Sequence, residues 1–343
     1  MADSLIIAAT RSVNHQGDLQ PLRDLIQQAE ADGFRSTTLT IDDLNTPWQS
    51  PVEEGHFRSG CGPIEALSVA NRLIQDGDAD LVVISGRDFI KSDYSQEERH
   101  EKMVIYPEYS IPEAYTLLAR HFCDHEGLTT DGFICLRDAI FENLKQTAVT
   151  HELKLPGENW YEPLTDLFRG VDCANPVIDF EGLVVVTHSD TALTPLMEPV
   201  AIKGVGVGIA ENDGPEFARE LARYHALEKA VHYAEVQSGL DVEEIINGNN
   251  TLLEAYTCYP VVPLALLMKA GALQSEKEII RWLENKALTC TGGMNLARAP
   301  WNNPALNGLI AVCEQLQQHK TQALVHGNGG LGYKQGIALL ERQ

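Results

Sequence analysis

Short apolar runs rich in valine and isoleucine recur between segments of helical period, and this alternation constrains the fold more than any other feature of the chain. The runs stand near Leu5–Thr10, Ser36–Thr40, Leu81–Ser85, Leu183–His188, Ala201–Ile209, Leu252–Tyr256, Ala323–His326 and Ile337–Glu341. Between them, Pro21–Ala31 carries apolar residues at 22, 25, 26 and 29, and Pro63–Gln75 carries them at 64, 67, 70, 73 and 74. Both spacings lay one apolar stripe along a helix, opened by a proline in the first turn, where its missing N–H is harmless. Further helices are expected over Pro112–His125, Thr130–Leu144, Pro215 to about Gln237, and Pro304 to about Gln318. The chain reads as an α/β protein with a buried sheet. From Lys91 to about Pro176 the strand rhythm stops, and a charged stretch from Glu97 to Lys102 precedes two of the helices, so this segment reads as an insertion.

A chain of 343 residues is large enough for two domains or one large layered one. Its 49 acidic and 26 basic residues give a net charge of −23, a field that repels polyanions and makes nucleic acid an unsuitable partner. A phosphate-bearing ligand would need a local basic patch. The uncharged apolar stretch Val261–Met268 falls well short of the roughly 20 residues of a membrane helix. No basic region precedes Leu5–Ala9, which fits a first strand rather than a secretory signal, so a cytoplasmic protein is expected. The seven cysteines are odd in number and form no C-x-x-C pair, the pattern of free thiols rather than of disulfides or a zinc ribbon; no metal site is expected.

Four segments could carry chemistry. In Arg58-Ser59-Gly60-Cys61-Gly62-Pro63, a thiol one turn before a helix would meet the positive end of the helix dipole and free backbone N–H groups, which favour a thiolate and an oxyanion. A buried small residue at a tight turn fits the same pattern. In Leu253–Pro260, an apolar strand runs into Tyr256-Thr257-Cys258-Tyr259, where a hydroxyl could donate to a substrate carbonyl, or two aromatics could pack a helix on the sheet. Thr291-Gly292-Gly293 with Arg298-Ala299-Pro300-Trp301-Asn302-Asn303, and His326-Gly327-Asn328-Gly329-Gly330, are dense in glycine, which permits close backbone approach. Neither is a phosphate loop, and Gly204-Val205-Gly206-Val207-Gly208 lacks the spacing of a dinucleotide fingerprint. Asn302 and Asn303 read as helix caps.

Taken in order, these segments resemble the thiolase superfamily, in its acetyl-CoA acetyltransferase or thiolase-like branch. Cys61–Leu67 through Ile74-Gln75-Asp76-Gly77-Asp78-Ala79-Asp80 to the strand ending at Gly86 is similar to the family's nucleophile turn, helix and following strand. Ile6–Arg11 and the late glycine turns extend the likeness over nearly the whole chain. The resemblance implies a five-layered α-β-α-β-α fold of two similar halves, here 1–204 and 205–343, with an inserted loop domain at about 91–176 that helps hold coenzyme A. It also implies a coenzyme A thioester as substrate or ligand, with no permanently bound cofactor. A homodimer is common in the family, and many relatives work with a separate small OB-fold partner protein.

The catalytic motifs depart from the family. Ungapped alignment places Gly60 at the nucleophilic cysteine with Cys61 one residue later, Tyr256 at the Asn or His that orients water, Ala299 at the histidine of Gly-His-Pro, and His326 at the second cysteine. Claisen chemistry needs a nucleophile, a base and oxyanion donors, so ordinary thiolase activity is not expected. Three readings follow. Cys61 could carry an acyl group with His326 as base and Asn328 near the oxyanion, in an acyl-CoA acyltransferase with Arg298 as a ligand contact. The fold could bind a ligand or partner without catalysis. Or Tyr256 could serve an aldolase-type lyase.

Overall fold

A computed structural model describes residues 4–317 and 320–343. Every expected apolar run is a strand: β1 (Ser4–Val13), β2 (Ser36–Ile41), β3 (His56–Phe57), β4 (Leu81–Phe89), β5 (Asp179–His188), β6 (Val200–Ile209), β7 (Thr251–Glu254), β8 (Gln322–Gly329) and β9 (Lys334–Arg342). Of these only β3, two residues long, left no pattern in the sequence. The helices are α1 (Gln20–Ala31), α2 (Gly62–Gln75), α3 (Gln96–Lys102), α4 (Ile111–Glu126), α5 (Thr130–Thr150), α6 (Ala218–Leu221), α7 (His225–Ser238), α8 (Val242–Asn247), α9 (Val261–Ala265), α10 (Glu276–Asn285), α11 (Gly293–Leu296) and α12 (Pro304–Leu316).

Three expectations need correction. The long helix predicted from Pro215 is broken at Tyr224, whose backbone is left-handed (φ 55°) and whose ring is buried edge-on against Phe122 at 5.7 Å; tertiary packing overrides local helical pattern there. Helix α5 continues past Leu144 to Thr150, and the expected end of α12 at Gln318 lies outside the described residues. Strand β7 stops at Glu254, so Tyr256 stands in the loop beyond it.

The sheet order is β3-β2-β4-β5-β1-β6-β9-β8-β7. On one side β1 pairs antiparallel with β5, β5 antiparallel with β4, and β4 parallel with β2; on the other, β6 pairs antiparallel with β9, β9 antiparallel with β8, and β8 parallel with β7. The same order and sense thus occur twice, joined by Leu5–Ala201 and Ile6–Val200 between β1 and β6. The division expected between residues 204 and 205 falls within β6.

Helix α2 packs on strands of both runs, from β2, β4 and β5 to β6, β8 and β9. At about 4.8 Å per strand, a flat sheet would spread these beyond the reach of one helix about 10–12 Å wide, so the two runs face each other across it. Helix α12 lies beside α2 in this middle layer, where Ile64, Leu67, Leu309 and Ile310 meet Val82, Val184, Val200, Val325 and Leu340. Helix α1 covers the outer face of the first run through Leu22 and Ala29, and α7 covers β6 and β9. The result is a thiolase-like five-layered α-β-α-β-α fold. Among the described residues no helix is long and apolar enough to cross a membrane, and no cluster of metal-ligating side chains occurs.

Candidate functional site

Four loops and one helix meet around a cavity of about 250 Å³. They are the Ser59–Cys61 turn before α2, the Tyr256–Tyr259 loop after β7, the Pro300–Asn302 turn before α12, the β8–β9 hairpin at Asn328–Gly330, and the start of α4 with the strand of chain before it. The cavity wall is mostly apolar or aromatic, including Trp48, Met103, Tyr106, Tyr115, Tyr256, Tyr259 and Trp301, with Cys258, Asn302 and Asn328 as further polar groups. Among the described residues no charged side chain lines it.

The Ser59–Cys61 turn is strained and pinned. Ser59 has φ 88°, a conformation unfavourable for a residue with a Cβ. Its N–H donates to Asn302 Oδ1 at 3.2 Å, while Asn302 Nδ2 donates to Asp42 O at 2.8 Å and Asn302 N to Asp88 Oδ2 at 3.0 Å. Asn302 is therefore a wall and a clamp, not a helix cap; Asn303 precedes α12 but its side chain caps nothing and donates instead to Asp88 Oδ2 at 2.8 Å. Burial pushes the Asp88 carboxyl up to about 7, against those hydrogen bonds.

Gly60 faces the cavity. A Cβ at this position would overlap the Tyr256 hydroxyl and lie 2.6 Å from Asn328 O. The phenol occupies the space of a residue-60 side chain. Burial holds it well above its usual pKa, so it is a neutral donor, and among the described residues its hydroxyl makes no hydrogen bond to a protein group.

Cys61 points the other way. It has no exposed surface, and its Sγ would lie 2.9 Å from a Cβ on Gly336, in β9. Burial, then Glu65, pushes its thiol well up, the reverse of what a nucleophile needs. His326 is equally buried but is not its partner: Nδ1 accepts from Tyr256 N at 3.4 Å and Nε2 bonds Gln335 Oε1 at 2.8 Å. Desolvation pulls the imidazole down to about 4. Of the residues singled out from sequence, Tyr256 and Asn328 line the cavity; Cys61 and His326 stand behind its wall, unpaired with each other. Arg298 is half-buried at φ 66° and is not part of the wall.

Sequence reasoning missed Tyr115 and Gln335, and it singled out the segment of Cys258 without giving the thiol a role. Asn328 Nδ2 donates to Tyr115 Oη at 3.2 Å, Cys258 Sγ donates to the same oxygen at 3.3 Å, and Tyr115 Oη donates to Gly330 O at 2.7 Å. The Tyr115 ring stacks on Tyr259 with centroids 4.1 Å apart. Burial pushes the Cys258 thiol up to about 12. The Tyr256–Tyr259 segment carried a sequence signal; Tyr115 is one aromatic on the apolar face of a helix and carried none.

Apart from Arg298, the cations near these motifs are engaged with carboxylates: Arg58 with Asp42 at 2.8 Å, Arg87 with Asp93 at 3.2 Å, Lys334 with Glu65 at 2.9 Å and Lys203 with Glu341 at 4.0 Å. An adjoining cleft of about 780 Å³ shares Trp48, Ile105 and Tyr106 with the cavity and carries Glu108, Glu211, Asp213 and Glu216 alongside Arg58 and Lys334.

No protein-family model matches the sequence, and no curated protein matches it. Solved structures do match the fold. A monomeric SCP2-thiolase-like protein type 1 from Mycobacterium smegmatis superposes with a TM-score of 0.70 at 15% identity, over 100% of this chain and 78% of that one. The Ltp2–ChsH2(DUF35) aldolase superposes with a TM-score of 0.68 at 13% identity, over 99% of this chain and 98% of that one. These likenesses carry the fold and nothing finer.

Proposed function

We propose that this protein of thiolase-like fold binds an apolar acyl thioester non-covalently in the 250 Å³ cavity, its carbonyl oxygen accepting a hydrogen bond from Tyr256. The observation that carries this reading is the Tyr256 hydroxyl itself, a neutral donor without a protein acceptor among the described residues, standing where a side chain on residue 60 would project. The wall supports it further: a charged ligand group buried there would find no counter-charge, whereas a neutral acyl group with one carbonyl loses little. Acyl transfer is supported less. Cys258 is the thiol on the wall, kept protonated and hydrogen-bonded to Tyr115, and His326 has neither ring nitrogen free to act as base.

The test is titration with hexanoyl-N-acetylcysteamine, a thioester without phosphate, and with hexanoyl-CoA, read by the fluorescence of Trp48 and Trp301 and by intact protein mass. The expectation is saturable binding without an adduct, unchanged in Cys61→Ala and weakened about 5–10-fold in Tyr256→Phe, the worth of one hydrogen bond. An acyl adduct that disappears in Cys61→Ala overturns it in favour of the acyltransferase.

A second reading, carbon–carbon cleavage, has one specific support: one of the matching structures is an aldolase, and a neutral phenol can donate to the enolate oxygen that such cleavage creates. Cleavage of a β-hydroxyacyl thioester that survives Tyr256→Phe removes tyrosine from that mechanism. The homodimer and small OB-fold partner implied by the resemblance are tested by sedimentation of the purified chain and by co-purification.

A further inference from the structure

We infer that Gln335, which does not reach the cavity, is the positioning residue that fixes which way the polar wall of the cavity points. This rests on the reading that the wall receives a carbonyl oxygen.

Gln335 is fully buried on β9, opposite Asn328 in the β8–β9 ladder. Its Oε1 meets His326 Nε2 at 2.8 Å, and its Nε2 donates to Asn328 Oδ1 at 2.6 Å and to Gly332 O at 3.2 Å. The residues it links form one chain of donors: Tyr256 N–H to His326 Nδ1, His326 Nε2–H to Gln335, Gln335 to Asn328, Asn328 Nδ2–H to Tyr115, and Tyr115 O–H to Gly330 O. Side-chain amides and imidazoles can be turned round, but this chain begins at a backbone N–H and ends at a backbone carbonyl, which cannot. Every member between them must therefore accept on one side and donate on the other. At position 335 a primary amide does so at every pH, whereas a carboxyl of the same length does so only when protonated.

Two consequences reach the ligand. Asn328 turns its amide nitrogen, not its oxygen, toward the Tyr115 end of the wall, so no acceptor there repels a carbonyl. Tyr115 has its proton committed to Gly330 O and Tyr106 its own to Asp213, whereas the Tyr256 proton has no protein acceptor among the described residues. The titratable groups packed around the chain include Cys61, Tyr224, Cys258 and Tyr333, all held neutral by burial; Asp213, raised by burial, lies against Gly330 and accepts from Tyr106 and from the N–H of Leu331, and Lys334, beside Gln335, is paired with Glu65 at 2.9 Å.

Gln335→Glu separates this role from mere packing. A protonated glutamic acid still accepts from His326 through its carbonyl and donates to Asn328 through its O–H, whereas the carboxylate only accepts. Burial raises a carboxyl at this position well above its ordinary value of about 4.3, so binding of hexanoyl-N-acetylcysteamine is expected to match the parent at about pH 5.5 and to weaken at least about fivefold by about pH 8.5, the worth of one lost buried hydrogen bond, while the parent stays flat. Gln335→Met, of similar volume, is expected to bind weakly at both pH values. Equal affinity in all three proteins at both pH values overturns the inference. A readout independent of any ligand is the 15N spectrum of His326 in the unsubstituted protein: a neutral ring with its proton on Nε2 down to about pH 5.5 is expected, and an Nδ1–H tautomer or a titration near the ordinary value of about 6.5 refutes the chain even if the thioester reading stands. Conversely, if the parent protein binds no thioester while His326 shows the expected tautomer, the chain stands and the ligand reading fails.

Discussion

The pairing of Gly60 with Tyr256 can be tested by a thermodynamic cycle. A methyl group at residue 60 would overlap the Tyr256 hydroxyl and come within 2.6 Å of Asn328 O, and Gly60 does not use the left-handed region, so the penalty of Gly60→Ala is steric and not conformational. Forcing one methyl into a closed site costs about 1–3 kcal/mol. Tyr256→Ala alone leaves a void and costs about 3–5 kcal/mol. In that background the phenol is gone and only the approach to Asn328 O remains, so Gly60→Ala should cost at least about 1 kcal/mol less than it does in the parent, a coupling typical of residues in direct contact. Urea unfolding of the parent, both single variants and the double variant, compared by midpoint at unchanged slope, measures it. An equal cost of Gly60→Ala in both backgrounds would mean that the tyrosine does not stand in the residue-60 space, and the ligand reading would lose its foundation.

Other consequences are open to measurement. Asp88, raised to about 7 by burial, is favoured in its protonated form by folding, so its contribution is complete below about pH 3.8 and is lost as pH rises through 7; Asp88→Asn should gain stability over the parent across that window, up to about 4 kcal/mol, and parallel pH profiles would refute the assignment. His326, lowered to about 4, works in the opposite sense: its contribution is complete above about pH 6.5 and fades toward pH 4, so His326→Gln should flatten the acid limb of the stability profile. Cys135 is exposed whereas Cys61 is buried, so brief alkylation of the native protein should mark Cys135 alone, and labelling of Cys61 without unfolding would contradict its placement. Because the adjoining cleft carries four carboxylates, affinity for hexanoyl-CoA should rise with salt while that for the phosphate-free thioester stays level; a fall with salt would point to a basic phosphate site instead.

The fold was legible because its signals are local and redundant. Each buried strand announces itself by composition, and α1 and α2 by period, since both depend on burial of the segment's own residues. What escaped were places where tertiary contact overrules the local pattern. Tyr224 breaks a helix that its neighbours would continue, because its ring is held against Phe122, and β3 is two residues of edge pairing with no pattern to read.

Of the candidate site, only single polar side chains at the ends of apolar runs were legible. Tyr256 and Asn328 could be picked out as polar residues at the ends of apolar runs, and both line the cavity. Cys61 shows the limit of that reasoning: its position one residue nearer the helix than Gly60 turns its thiol from the cavity into the layer beneath β9, and chemistry that looks available in a string of letters is sealed in the core. The hydrogen-bonded chain lies further beyond reach. Tyr115, Asn328 and Gln335 are brought together from a helix and two strands, and their roles follow from who donates to whom, which is set by a backbone N–H at one end and a backbone carbonyl at the other. Residue types fix what each group can do; only the fold fixes the direction in which it must do it.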